Sequence, residues 1–375
     1  MKSYKDAKVA IIHDQLTQYG GAERTLEALL DIFPEADIFT GFCDPVNISQ
    51  RILDRKIVSG PKLLKYLGFI MPFVFEWFDL RKYDIVISEG TAWPKGVITS
   101  PGQLHINYTY TPPRFLYGYN TEGQKREIWY LKPFLKVIDH FLRIWDYSAA
   151  QRPDYMLSIS QEVAKRVKKF YGRDSQVIYP PVELASESSS QNDGLEPPDK
   201  YYLCISRLAA YKNVDLLIRA FNKTGFKLKI AGTGKEERRL RSMAGEKVEM
   251  LGFVNNEQKG RLLAGCKGFV FPADYEDFGI VVVEALSYGK PVLCHRSGGP
   301  LEIISEGETG MFFDDLDPNK LSQKIMEFDK NIDDGKYSTN RMRESAQKFG
   351  KDRFKEQFGD FVRQKWEEKK NAGTS

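Results

Sequence analysis

The stretch Phe271-Pro-Ala-Asp-Tyr-Glu276-Asp277-Phe278-Gly279-Ile280-Val-Val-Val-Glu284-Ala285-Leu286 carries the reading of the fold. An apolar run ends at its start, a polar loop with a glycine follows, and apolar residues then resume. Taken alone, residues 280–283 read as a strand, because β-branched side chains lose rotamer freedom in a helix. The continuation Glu284-Ala-Leu-Ser-Tyr-Gly289 is helical in composition and ends on a glycine suited to a C-cap. The segment 279–288 is therefore expected to be a buried helix after a strand, with Glu276 before it and Glu284 on its second turn. Strand, loop and buried helix form the repeating unit of a doubly wound parallel sheet.

Working outward, the same alternation runs through the second half. Strands are expected over 201–206, 227–231, 248–251, 268–272 and 291–295, with helices over 213–222, 235–243, 257–264 and 319–328. The strands are continuous apolar runs, as expected where helices cover both faces of a sheet. The first half repeats the pattern with strands over 9–13, 37–40, 84–89, 105–110, 156–160 and 176–179, and helices over 22–33 and 162–171. Between the halves lies Ala-Ser-Glu-Ser-Ser-Ser-Gln-Asn-Asp-Gly-Leu-Glu-Pro-Pro-Asp-Lys, residues 185–200, which is polar and reads as a linker. The expected organisation is an α/β domain over 1–184, the linker over 185–200 and a second α/β domain over 201–345. A charged helix over 346–375 completes it. Two such units would set a cleft between them, and doubly wound sheets bind ligands beyond their strand C-termini.

Composition bounds the function. The 375 residues carry 55 Lys and Arg against 51 Asp and Glu, a formal charge of +4, which is too mild to argue for nucleic acid. The four cysteines and four histidines are scattered without CxxC or paired-ligand spacing, which fits a reducing compartment and disfavours structural zinc. Neither a signal peptide nor a run long enough to span a bilayer is present, so the expected location is cytoplasmic. Two segments stand apart. Residues 61–82 and 124–152 mix Trp, Phe, Tyr and Leu with Lys and Arg, which fits either an aromatic core with wet cations or a surface lying on anionic lipid.

Several loops carry chemistry. Gly20-Gly21-Ala22-Glu23-Arg24 sits between a strand and a helix, where paired glycines admit close backbone approach and the helix N-terminus favours an anion. It lacks the GxGxxG dinucleotide fingerprint, which excludes a dinucleotide-dependent dehydrogenase. Ser206-Arg207-Leu208-Ala209-Ala210-Tyr211-Lys212 places two cations at a strand exit, suited to a diphosphate: arginine as a planar fork, lysine as a point charge. Gly232-Thr233-Gly234 and Gly298-Gly299 lie on the same sheet edge. A carboxylate such as Glu276 or Glu284 can accept two hydrogen bonds from a vicinal diol.

As a set, these residues resemble the retaining GT-B glycosyltransferases of family 4. The resemblance runs through Gly20 to Arg24, Val177-Ile-Tyr-Pro-Pro-Val182, Ser206-Arg207-Leu208 with Lys212, Glu276 through Glu284, and Gly298-Gly299 with Thr309-Gly310. Within the family it is nearest to bacterial mannosyltransferases that build O-antigen and related surface polysaccharides from GDP-mannose. The resemblance implies two Rossmann-like domains facing a cleft, and transfer of a hexose to a saccharide or lipid-linked saccharide. It also implies no metal cofactor, no nucleic-acid partner, a C-terminal helix over 346–375 that crosses back to the N-terminal domain, and room for peripheral contact with the cytoplasmic face of the inner membrane. Arg207, Lys212 and Glu276 would be catalytic. Gly20, Gly21, Gly232, Gly234, Phe253, Phe278, Gly279, Ile280 and Glu284 would join them in holding the donor. Lys95, Tyr110 and Arg114 would face the acceptor. One departure stands out: Tyr110-Thr111-Pro112 occupies the place of an expected His-Thr-Pro, and a tyrosine is a poor base near neutral pH. The alternatives are a UDP- or dTDP-sugar donor, or a catalytically silent sugar-nucleotide-binding subunit.

Overall fold

The computed structural model describes residues 4–61, 68–119, 132–185 and 201–372, and the expected linker falls almost wholly outside them. The chain forms two compact units, the first taking residues up to 119, 123–181 and 351–375, the second mainly 182–350.

The first unit is built on seven parallel strands: β1 (Val9–His13), β2 (Asp37–Thr40), β3 (Ile57–Ser59), β4 (Ile85–Gly90), β5 (Leu104–Thr109), β6 (Tyr155–Ser158) and β7 (Gln176–Val177). Their order is β3-β2-β1-β4-β5-β6-β7. Chain order reverses between β1 and β4, so the ends of these two strands flank the topological switch point, where doubly wound sheets leave a crevice. His13 pairs in register with Glu89 there. Helices α1 (Gly21–Ile32), α2 (Gln50–Leu53), α3 (Met71–Glu76), α4 (Lys132–Ala149) and α5 (Gln161–Tyr171) follow in the same unit. Helix α5 has both expected end signals: Ser160 Oγ accepts the Val163 N–H at 3.1 Å, and Gly172 closes it in the left-handed region.

The second unit has six parallel strands, β8 (Tyr201–Ile205), β9 (Lys227–Ala231), β10 (Val248–Gly252), β11 (Gly268–Phe271), β12 (Val292–His295) and β13 (Gly310–Phe313), in the order β10-β9-β8-β11-β12-β13. Its switch point lies between β8 and β11. Its helices are α6 (Val214–Thr224), α7 (Glu237–Met243), α8 (Asn256–Gly265), α9 (Ile280–Ser287), α10 (Pro318–Asp333) and α11 (Thr339–Gln347). The β-branched run 280–283 is helical, as its continuation required. Val282 to Ser287 are all buried, so packing on the sheet outweighs the modest propensity cost.

Three readings are corrected. Strands β3 and β13 were absent from the expected set; each is short and lies at a sheet edge, where periodicity over three or four residues carries little signal. The charged tail is two helices, α11 and then α12 (Lys351–Ala372), broken at Lys348 to Gly350. Helix α12 belongs to the first unit, where Phe354 and Phe358 lie against the Tyr108 ring at 5.8 and 5.6 Å. The boundary between units also comes earlier than residue 184. Val182 already donates its N–H to the Phe349 carbonyl at 3.0 Å within the second unit.

Candidate active site

In the second unit, the exits of β8 and β11 lie side by side at the switch point. The segment after β8 is bonded to the loop after β9: Ser206 N–H donates to Ala231 at 3.0 Å and Leu208 N–H to Thr233 at 2.9 Å. This contact explains the Gly-Thr-Gly sequence. Gly232 has φ +136°, and a Cβ there would overlap the Ser206 carbonyl; one at Gly234 would overlap that of Leu208. The glycines let the loops close on each other. Gly232→Ala should cost roughly 2 kcal/mol of stability in urea unfolding, from strained φ and displaced backbone.

Lys212 and Glu276 meet as an ion pair, with only 10% and 17% of their side chains exposed. The Lys212 ammonium also lies 5.6 Å from the Phe271 ring centroid and 5.0 Å from that of Tyr211. Arg207 is exposed and donates from Nη2 to Tyr211 Oη at 3.0 Å. The sequence-expected cations and the first glutamate thus converge on one edge.

The loop carrying Glu276 is held from behind. Gly299 N–H donates to the Glu276 carbonyl at 2.8 Å, and a Cβ on Gly298, at φ +69°, would meet Glu276 backbone. Asp274 accepts from Ser297 Oγ at 2.7 Å and from Tyr275 N–H at 3.0 Å. Asp274 is therefore a loop fastener, and among the described residues no group of three or more His, Cys, Asp or Glu is placed to hold a metal ion. Gly279 caps α9 at φ +102°, Phe278 is buried against Phe349, and Ile280 opens the helix. Glu284 on α9 is 3% exposed and pairs with Lys259 of α8, a cation the sequence reading did not single out. Phe253, at 77% exposure, stands in water beyond β10.

In the first unit, Gly20 caps α1 and donates its N–H to Glu23 Oε2 at 2.7 Å; Gly21 is the first helical residue. Behind this turn lies a buried cluster that sequence reasoning missed. His13 Nδ1 is 2.9 Å from Glu89 Oε1, and its Nε2 is 3.8 Å from Glu23 Oε1. Tyr110 donates its hydroxyl to Glu89, and that hydroxyl also lies 3.4 Å from the Ala22 carbonyl. Burial works against a charged His13, but the two carboxylates outweigh it and hold its pKa up to about 10. Burial and Glu89 push the Tyr110 hydroxyl well above its usual range, so it stays a neutral donor. The available signal was a carboxylate ending a buried strand, Ile-Val-Ile-Ser-Glu89, in line with a histidine ending another.

Lys95 is corrected. The residue is 2% exposed and its ammonium lies 2.6 Å from Asp146 Oδ1 and 2.5 Å from the Ala92 carbonyl, so it is committed inside the unit and cannot reach an acceptor phosphate. Arg114 is half-buried, with its guanidinium 6.0 Å from the Tyr119 ring. His105 is fully buried against Ser88 Oγ at 2.8 Å; burial drives its pKa down to about 3, so it is neutral and structural.

Two Rossmann-like parallel sheets, each with its polar residues at a switch point, define the GT-B class of α/β fold. The sequence model described as Glycosyl transferases group 1 matches residues 186–349. An alpha-1,3/1,6-mannosyltransferase of Kluyveromyces lactis is 23% identical, the alignment covering 87% of this chain and 77% of that protein. A GDP-mannose-dependent alpha-mannosyltransferase of Corynebacterium glutamicum is 31% identical over 113 residues, 30% of this chain and 27% of that one. Among solved structures, the sucrose-phosphate synthase of Thermosynechococcus elongatus superposes with a TM-score of 0.73 at 17% identity, covering 96% of this chain and 98% of that chain. Matches to three further glycosyltransferases span 57%, 35% and 43% of those relatives' lengths.

Proposed function

We propose that the protein is a retaining glycosyltransferase that moves a hexose from a sugar nucleotide to a saccharide or lipid-linked saccharide acceptor. The reading taken first is mannose from GDP-mannose, in surface polysaccharide synthesis such as that of O-antigen. The observation that carries the proposal is the Lys212–Glu276 pair beside Arg207 at the second switch point, inside the segment that matches the family. Breaking a glycosidic bond to a nucleotide develops negative charge on the departing diphosphate, and preorganised cations act where that charge appears. Arg207 and Lys212 supply them. On donor binding, the diphosphate takes over the Lys212 ammonium, which frees Glu276 to accept from the sugar hydroxyls. Glu284 is assigned to the ribose diol. With retention, the diphosphate oxygen can take the acceptor proton on the same face, so the chain needs no strong base at Tyr110. The mannose assignment is supported by the two mannosyltransferase relatives.

Thermal unfolding with a panel of sugar nucleotides in EDTA tests this reading. A ligand at ~100 times its dissociation constant stabilises by about 2.7 kcal/mol. Selective stabilisation by GDP-mannose is expected. Stabilisation by a UDP- or dTDP-sugar instead would retain the transferase and overturn mannose. Stabilisation without transfer to any acceptor would leave a silent binding subunit, and none with any nucleotide would overturn the donor site.

A further inference from the structure

Two residues other than glycine hold a positive φ among the described residues, and both lie in the loops of the second switch point. Asn213, at φ +51°, ends the segment after β8 and donates from Nδ2 to the Pro272 carbonyl at 3.2 Å. Asparagine enters that region at little steric cost. Tyr275, at φ +49°, stands one residue before Glu276 and has no such tolerance, because its Cβ crowds the backbone there. The conformation is fixed from both sides. Tyr275 N–H donates to Asp274 Oδ1 at 3.0 Å and to Ser297 Oγ at 2.9 Å, and Ser297 Oγ itself donates to Asp274 Oδ1 at 2.7 Å. Buried His295 backs this clamp, its Nδ1 3.4 Å from Asp274 Oδ1. Asp274 N–H reaches the Tyr211 carbonyl at 3.4 Å, and Gly299 N–H holds the Glu276 carbonyl at 2.8 Å. Strain of this kind persists only where the surroundings over-determine it, and it gathers at functional sites.

What the tyrosine adds is its side chain. The turn alone is served by glycine, as at Gly279 and Gly298 of the same site, at φ +102° and +69°. Tyr275 is 53% exposed, and the Glu276 side chain that follows it is 17% exposed. A half-exposed aromatic ring next in the chain to a carboxylate is complementary to a pyranose. The hydroxyls of such a sugar lie around its rim, where a carboxylate accepts from them. Its ring hydrogens form apolar faces, and an aromatic face, negative through its π-system, meets those slightly positive hydrogens. Small-molecule sites combine a few placed polar groups with apolar and aromatic lining in this way. A phosphate would be repelled by the same face, which separates Tyr275 from the task assigned to Arg207 and Lys212.

We propose that Tyr275 contacts substrate by stacking its ring on a pyranose, with the strained turn after β11 holding the ring in place. The proposal rests on the transferase reading and adds to it the surface that receives the apolar face of the sugar. The test is thermal unfolding of the full chain with GDP, with GDP-mannose, and with methyl α-mannopyranoside in the presence of GDP. Tyr275→Asn removes the ring and leaves a residue at ease at positive φ, so its melting temperature should equal or exceed that of the parent. Tyr275→Gly takes its place should that variant not fold. In the ring-less variant, affinity for GDP-mannose is expected to fall roughly fivefold with that for GDP unchanged, while Tyr275→Phe keeps the parent's affinity. A fall confined to methyl α-mannopyranoside would also support the stacking and make the acceptor the source of the sugar. An equal fall for GDP would move the ring to the nucleobase and overturn the proposal. Unchanged affinity for all three ligands in a folded ring-less variant, with the parent binding, overturns this contact alone. A parent that no nucleotide stabilises overturns the donor site and this contact together. Where the sugar-nucleotide panel selects another donor, that donor and its nucleoside diphosphate replace GDP-mannose and GDP, so an error in mannose leaves the test intact.

Discussion

Lys212→Ala lowers turnover at least tenfold, the equivalent of about 1.4 kcal/mol or more of transition-state stabilisation, and Arg207→Ala does the same. The two differ in what else they do, and that difference makes the experiment informative. Lys212 is 8% exposed and paired with Glu276, so its removal also leaves a mostly buried carboxylate without its cation. Such an orphan costs about 1–3 kcal/mol of folding stability. Arg207 is exposed, and its loss should leave stability within about 0.5 kcal/mol of the parent. Urea unfolding beside steady-state kinetics separates the two effects. Stability lost at Lys212 with turnover kept at both positions would make the pair a structural ion bridge and remove the diphosphate assignment.

His13→Gln destabilises the first unit by about 3–5 kcal/mol near neutral pH, because it withdraws the cation from between two buried carboxylates. Glu89 is fully buried and Glu23 is 3% exposed, so neither can turn to water. The pH dependence gives the sharper check. The folded pKa of His13, about 10, lies above the unfolded value near 6.5. Its contribution is therefore complete below 6.5 and is lost as pH rises through about 10. In His13→Gln that alkaline loss should vanish. His105 has the opposite sign. Its folded pKa is down at about 3, so its contribution is present above 6.5 and lost as pH falls toward 3. Unfolding free energies between pH 5 and 9.5 should show both limbs, the alkaline one absent from His13→Gln. An unchanged alkaline limb in that variant would place the charge elsewhere.

The opposite fates of the two histidines show what a linear reading lacks. Both are apolar-strand histidines in sequence, and only the fold sets one against two carboxylates and the other against a serine hydroxyl. The same holds for Lys95, read as a cation for the acceptor and found bonded to Asp146, fifty-one positions away in the chain. Lys259 escaped notice because its partner, Glu284, lies on the following helix. The Gly232 and Gly298 loops were legible as loops. That their glycines serve close backbone contact within the chain became visible only once Ser206 and Glu276 stood behind them.

Sequence by itself determined the alternating α/β order, the helical state of 280–287, and the assembly of Arg207, Lys212 and Glu276 on one edge of the second sheet. These follow from local causes: apolar runs, end signals, and the rule that side chains at strand exits share an edge. Tertiary structure alone decided where the units divide, that the charged tail breaks into α11 and α12, and which cations are committed inside. Each of these depends on residues far apart in the chain meeting or failing to meet. Burial and ion pairing are properties of such meetings, and no window of neighbouring residues contains them.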